Sequence, residues 1–273
     1  MKQILVATDF SNSAANAMEY AMALAKVLHM EVCVIHAIHP TEGINNNTYN
    51  AIFIDDYYNN KREALKAWAA VYTDRDEYKD IEVITLCGVG FLKNVITRYI
   101  DEHYVELLVM GITGATGITG IVGSNASMMV ELVKTPTLII PLESKFSGSP
   151  VITLATDYET RLSAQDVNAL NEMVSAFKSP KMQVLYVGDE SEAKNIETGE
   201  SKLRELIKNT ELEFNYIGES RPLKGIMDFV EKNGTDILCL VKHHHNILYR
   251  LFNRSTVNQV MNKSVKAILV LHE

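Results

Sequence analysis

A glycine-rich segment in the first half of the chain has the residue types that hold phosphate groups. Its glycines recur at intervals of three: Gly111, Gly114, Gly117, Gly120 and Gly123. Glycine lets a ligand approach the main chain closely. The apolar periodicity that begins at Met128 predicts a helix N-terminus beside Ser124, where free N–H groups and the helix dipole favour phosphate. The segment lacks the Gly-Lys-Ser/Thr of a P-loop, and a flexible hinge is the alternative interpretation.

A carboxylate at the end of the first predicted strand is the second candidate for ligand binding. Asp9 follows an apolar run at 4–7. A carboxylate at this place can accept hydrogen bonds from ribose hydroxyls or hold a divalent cation beside phosphates. The alternative role is capping of the helix that the sequence predicts after Ser11.

A run of three histidines, at 243–245, is a candidate metal site. Adjacent residues cannot all face one ion, so the run favours a polar loop within a basic patch that includes Lys242, Arg250 and Arg254. No Ser-His-Asp or Cys-His arrangement is recognisable, and the glycine-rich segment contains no Lys or Arg to clamp a γ-phosphate. We therefore expect no catalytic residues and no metal ligands, and at most a slow ATPase.

The elements that must position these residues are short apolar runs, typical of strands, that alternate with segments of helical periodicity. The first half predicts strands at 4–7, 32–37, 81–86, 107–110 and 138–141, and helices after Ser11 and at 61–72, 92–100 and 124–133. Strands that are apolar on both faces and separated by helices predict a parallel sheet covered on both sides. Ligands in such sheets bind beyond the carboxyl ends of the strands.

The chain repeats this pattern. The run at 4–9 recurs 148 residues later at 152–157, whereas 106–110 and 137–143 recur 130 residues later, at 236–240 and 267–273. We attribute the shorter second copy to loss of the polar stretch at 40–60, which we interpret as a long surface loop. The sequence thus predicts two tandem α/β domains, each a doubly wound, open, five-stranded parallel sheet of Rossmann-like type, at 1–143 and 151–273. Ser, Gly and Pro gather in a linker at 144–150.

Composition narrows the functional classes. A formal net charge of −8 over 273 residues argues against sequence-independent binding to nucleic acid. No apolar run reaches the roughly 20 residues of a membrane helix, and the N-terminal residues do not have the pattern of a secretory signal, so we expect a cytoplasmic protein. Cys33, Cys87 and Cys239 lie singly in apolar runs, which favours reduced, buried thiols.

These motifs resemble those of the universal stress protein family. The matching residues are Asp9, Ala37, Gly111, Gly114, Gly123 and Ser124, with Met110 before the first glycine. The resemblance implies a fold of the adenine nucleotide alpha hydrolase type and an adenine nucleotide, ATP with or without Mg, in the first copy. It implies that Asp9 and Ala37 contact adenine or ribose, that the glycines and Ser124 contact phosphates, and that Met110 and Asn125 complete the site. Two features depart from the family pattern: Ala37 replaces a typical valine, and eight residues rather than nine separate Gly114 from Gly123.

The second copy has lost these residues. Val241, His244 and the pair at 253–254 stand where the glycines and Ser124 stand in the first copy, so we expect no nucleotide there. By the resemblance, the second copy is a built-in dimerisation partner joined through the strands at 137–142 and 267–271, and two chains associate further as a homodimer. Two hypotheses follow: a stress-response sensor whose association depends on nucleotide, and a nucleotide-free scaffold acting through surfaces such as 43–60.

Overall fold

The computed structural model of the chain describes residues 2–42, 51–112, 124–158, 162–188, 196–242, 259–261 and 263–272. The first half contains β1 (Gln3–Ala7), α1 (Asn12–Leu28), β2 (Glu31–Ile38), α2 (Ala51–Thr73), β3 (Val83–Val89), α3 (Leu92–Glu102), β4 (Val105–Ile112), α4 (Ser124–Leu132) and β5 (Thr137–Pro141). The second half contains β6 (Val151–Ala155), α5 (Ala164–Ala176), β7 (Lys181–Val187), α6 (Ile196–Leu206), β8 (Leu212–Ile217), α7 (Pro222–Lys232), β9 (Ile237–Lys242) and β10 (Ala267–His272).

All ten of these strands form one sheet, in the order β3-β2-β1-β4-β5-β10-β9-β6-β7-β8. Neighbouring strands within each half are parallel, and the two halves have the same internal order. Every residue of β1, β5, β9 and β10 is buried, as expected for strands covered by helices on both faces. The predicted fold class, an α/β protein with a doubly wound parallel sheet, is therefore confirmed.

The two halves meet where β5 and β10 pair antiparallel, at the seam that the sequence predicts. Leu138 lies opposite Leu269 in this ladder. The same two residues also occupy equivalent places in their own halves. Val109 and Cys239 are equivalent at the offset of 130 residues, and Val109 pairs with Leu138 as Cys239 pairs with Leu269. The repeat offset at the last strand is thus 131 residues rather than the predicted 130. The one-residue difference matters because an offset of 130 would assign every side chain of β10 to the opposite face of the sheet.

The first helix is set by local signals. The hydroxyl of Ser11 accepts the N–H of Ala14 and caps α1 at its N-terminus. At the other end His29 adopts a left-handed conformation, with φ 54°, and its N–H reaches the carbonyl of Ala25. The sequence predicts an apolar face at Ala14, Met18, Ala21, Ala25 and Leu28. The first four of these residues are buried, whereas Leu28, at the end of the helix, is half-buried.

Helix α2 begins earlier than the sequence predicts. It starts at Ala51 and not near 61, so the stretch at 51–60 is helical rather than part of a surface loop; residues 43–50 lie outside the described ranges. The Asn and Asp residues of this stretch favour loops, but once the strong helix-forming segment at 61–72 is nucleated, each added residue costs little. The hydroxyl of Tyr57 also donates to Glu42 at 2.7 Å.

The segment that connects the halves is packed against both of them. The amide of Asn16 donates to the carbonyls of Pro141 (2.9 Å) and Ser144 (3.1 Å). The ring of Phe146 lies 5.4 Å from that of Tyr20 in the first half, in an edge-on contact. It also lies 6.0 Å from the ring of Phe177 in the second half. The connection is therefore held by contacts on each side, and the domain limits proposed from the sequence stay a prediction.

An ion cluster also crosses the seam. Lys2, next to β1, donates to Glu172 of α5 and lies 4.0 Å from Glu106 of β4. The side chain of Glu106 is only 2% exposed, and this burial raises the pKa of its carboxyl.

The structure changes two predictions for polar residues. Lys242 does not belong to a solvated basic patch, because it is buried and its ammonium contacts backbone carbonyls of α4. Cys33 and Cys239 are buried as predicted, but Cys87 is only partly buried because β3 is an edge strand. The histidines at 243–245, together with Arg250 and Arg254, lie outside the described residues.

Within the described ranges, no helix has both the length and the apolar character to cross a membrane.

Candidate functional site

A cleft opens at the carboxyl ends of β1, β2 and β4. In the sheet β1 lies between β2 and β4, so the strand order reverses at β1. Open α/β sheets bind ligands at such a switch point. The cleft has a volume of about 620 Å³, within the range of small-molecule sites. It brings together five of the predicted site residues: Asp9, Ala37, Met110, Gly111 and Asn125.

Asp9 is presented by a tight turn between β1 and α1. Phe10 has a left-handed backbone with φ 65°, and its N–H donates to the hydroxyl of Thr8 at 3.0 Å. The N–H of Ser11 donates to a carboxylate oxygen of Asp9, also at 3.0 Å. Asp9 is nevertheless exposed, and a carboxylate has acceptor capacity beyond one bond. The turn-forming and ligand-binding roles of Asp9 are therefore compatible.

The turn that carries Asp9 rests on β2. His36 is buried, and its Nδ1 lies 2.9 Å from the carbonyl oxygen of Thr8. The ring of Phe10 packs against the imidazole of His36, with 4.5 Å between the ring centroids, and against Trp68 of α2. These contacts fix the backbone on which the carboxylate sits.

Gly111 has a packing role that the sequence did not indicate. A Cβ atom at this position would lie 2.2 Å from the carbonyl oxygen of Ser13 and 2.9 Å from the nitrogen of Ala14. Only glycine therefore lets the end of β4 approach the first turn of α1 this closely. Gly111 lines the cleft, but its main-chain contact with α1 explains the residue without any ligand.

The rest of the glycine-rich segment is only partly described. Gly114 and Gly123 lie outside the described residues, as does the side chain of Ser124. Helix α4 begins at Ser124, as the sequence predicts, and Asn125 is exposed and lines the cleft. The start of α4 thus faces the same space as Asp9.

Sequence reasoning missed the contribution of α3. Gly90 and Phe91, which join β3 to this helix, line the cleft together with Leu92 and Lys93, the first two residues of the helix. Among the described residues no side chain caps the N-terminus of α3, so its first N–H groups suit an anionic ligand, and the exposed Lys93 adds a cation. Phe91 is 52% exposed and contacts the ring of His39 edge-on at 4.9 Å. These residues could have been found from their position in the sequence, because they follow a parallel strand at the end where ligands bind.

The turn after β2 is held by an acidic side chain. Glu42 accepts hydrogen bonds from the hydroxyl of Tyr57 and from the N–H of His39, and Lys61 lies 3.3 Å away. The bond from Tyr57 contributes most to lowering the pKa of Glu42 to about 2. Glu42 therefore stays ionised at neutral pH and keeps His39 at the edge of the cleft.

The corresponding place in the second half has different side chains. Tyr158 has the left-handed conformation of Phe10, with φ 63°, and its ring stacks on Tyr186 at 5.8 Å. At the repeat offset, Arg221 replaces Phe91 and Leu223 replaces Lys93. Val241 replaces Gly111 and is 3% exposed. The side chains that line the first cleft at these positions are thus not repeated in the second half.

A sequence model of the Universal stress protein family matches residues 1–141. The chain belongs to the universal stress protein family. No curated protein sequence matches it.

Some solved structures are similar to this universal stress protein over nearly its entire length, and others over about half of it. A universal stress protein from Archaeoglobus fulgidus is 16% identical, covers 98% of this chain and 97% of its own, and has a TM-score of 0.75. A functionally unknown protein from Pseudomonas aeruginosa is 14% identical, over 99% of this chain and 92% of its own, with a TM-score of 0.58. A universal stress protein in complex with cAMP is 22% identical, over 51% of this chain and 96% of its own, with a TM-score of 0.39. At these identities the first two structures establish the shared fold.

Proposed function

We propose that the first half of the chain binds an adenine nucleotide, ATP in the first instance, and that occupancy regulates association in a stress response. The observation that carries the proposal is the convergence of the N-terminal ends of α1, α3 and α4 on one cleft beside the exposed carboxylate of Asp9. Helix N-termini favour phosphate groups, whereas a carboxylate favours ribose hydroxyls.

The parts of the cleft suit the parts of a nucleotide. Ala7, Ala37 and Met110 form an apolar floor, and the exposed ring of Phe91 offers a surface on which a base can stack. Lys93 and the open N-terminus of α3 favour a polyphosphate, at a place that the glycine-rich segment alone did not suggest. In this proposal the second half binds no nucleotide and acts as a permanent partner across β5 and β10, and two chains associate further.

The test is ligand binding by wild type and a matched pair of variants. ATP with Mg²⁺ at 100 times its dissociation constant should stabilise the wild-type protein by about 2.7 kcal/mol. Asp9→Asn removes a charged acceptor, so affinity should fall about tenfold or more. Asp157→Asn changes the equivalent carboxylate of the second half and should leave affinity unchanged.

A panel of ATP, ADP, AMP, cAMP and GTP, measured by calorimetry, then identifies the preferred ligand. If no adenine nucleotide stabilises the wild type, the proposal fails, and a nucleotide-free scaffold explains the fold better. Equal loss of affinity in both Asp variants would show that the site assignment is wrong.

A further inference from the structure

The second half of the chain holds the C-terminal end of α4. Lys242, the last residue of β9, donates from Nζ to the carbonyls of Val130 (3.1 Å) and Glu131 (3.0 Å). The same ammonium lies 3.4 Å from a carboxylate oxygen of Glu131, and the lysine side chain is only 7% exposed. Nε2 of His272, at the end of β10, lies 3.3 Å from the carbonyl oxygen of Val130. Two basic side chains of one half thus meet the last turn of a helix in the other.

The chemistry of this contact makes it a firm anchor. The last carbonyls of a helix lack intrahelical partners and carry partial negative charge, so a cation is favourable there. A buried ammonium is costly unless it is paired and hydrogen-bonded. Lys242 finds two carbonyls and a carboxylate, and any movement of α4 away from β9 would leave its charge buried without them.

The other end of the same helix lies at the proposed nucleotide site. Asn125, Ala126 and Met128 of α4 line the cleft, and the helix has only nine residues, about 13 Å from end to end. Ala126, Met129 and Val130 are buried in a hydrophobic cluster to which both halves contribute. A short, rigid helix that is fixed at its C-terminal end keeps its N-terminal amides at a defined place.

We infer that Lys242 is a positioning residue for the nucleotide site, acting through α4. The inference rests on the proposed function. It gives the second half a specific role beyond pairing: the half without the glycines sets the position of the helix that the other half uses to face the ligand. The residue of β4 equivalent to Lys242 is Ile112, which is apolar and 2% exposed, so the first half has no lysine at this place.

The test uses the chain of 273 residues, variants at Lys242 and one control variant elsewhere on the seam. Lys242→Met keeps the length of the side chain but removes its charge and donors, and ATP affinity measured by calorimetry should fall at least about fivefold, the lower end of typical coupling between sites. Amide hydrogen exchange at 125–132 without ligand should become faster. Lys242→Arg can donate to the same carbonyls and should restore most of the affinity.

Gln165→Leu is the matched control. Its amide donates across the seam to the carbonyl of Val105 at 3.3 Å, at the end of β4 remote from the cleft, so its loss should leave ATP affinity and exchange in α4 unchanged. If Lys242→Met binds ATP like the wild type, or if Lys242→Met and Gln165→Leu lose affinity equally, the inference is overturned and the proposed function stands. Absence of ATP binding by the wild type would refute both. If Lys242→Met does not fold, Lys242→Gln decides by the same measurements.

Discussion

The close approach of β4 to α1 at Gly111 can be tested by adding one methyl group. In Gly111→Ala, the new Cβ would lie 2.2 Å from the carbonyl oxygen and 2.5 Å from the carbonyl carbon of Ser13. A comfortable contact needs about 3.5 Å, so α1 must move by roughly 1 Å. The obstructing atoms belong to the backbone of a capped helix and cannot rotate away.

The expected cost follows from that geometry. Overpacking typically costs about 1–3 kcal/mol, and we expect about 3 kcal/mol here because the clash is with main-chain atoms. For a chain of this size that loss lowers the Tm by roughly 6–12 °C. The measurement is thermal and urea unfolding without nucleotide.

The control is Gly148→Ala, in the connection between the halves, where the methyl group would meet no described atom within 4 Å. Its stability should stay within about 0.5 kcal/mol of the wild type. If Gly111→Ala unfolds at the wild-type midpoint and differs only when ATP is present, the packing argument is wrong and a phosphate contact explains the glycine.

Two further predictions concern titratable groups. Burial raises the pKa of Asp166, in the first turn of α5, well above the usual value for an aspartate, to about 6. The folded state therefore binds this proton more tightly, and the free energy of unfolding should fall as pH rises from about 4 to 6, by about 3 kcal/mol; denaturant titrations at several pH values should show this fall in the wild type and its absence in Asp166→Asn. Burial also raises the pKa of Cys33 to about 11 and of Cys239 to about 12. Iodoacetamide at pH 8 should therefore modify the partly buried Cys87 first, as read by peptide mass spectrometry, and faster labelling of Cys33 or Cys239 in the folded protein would contradict the packing.

Much of the fold could be predicted because its signals are local or periodic. The strands of the first half are contiguous apolar runs, and Ser11 caps α1 as its residue type indicates. The family resemblance implied the seam between β5 and β10, and the repeat supports it because each half ends in a strand that needs a partner on its free edge. Family membership could be recognised from Asp9 and the spaced glycines of the first half.

The sequence could not show contacts that join distant segments. Phe91 and Lys93 enter the cleft only because β3, the strand that leads into α3, lies beside β2 in the sheet. Gly111 suggested a phosphate loop, whereas its nearest neighbours are backbone atoms of residues almost 100 positions earlier. The residue types were visible, but their partners were set by the order of strands.

The sequence by itself therefore determined most of the elements, their alternation and the two-fold repetition, because hydrophobic periodicity and capping act within a few residues. The tertiary structure decided which side chains share a cleft, the 131-residue offset at β10 and the burial of Lys242. Register and burial depend on the combined packing of both halves, and no single segment contains that information.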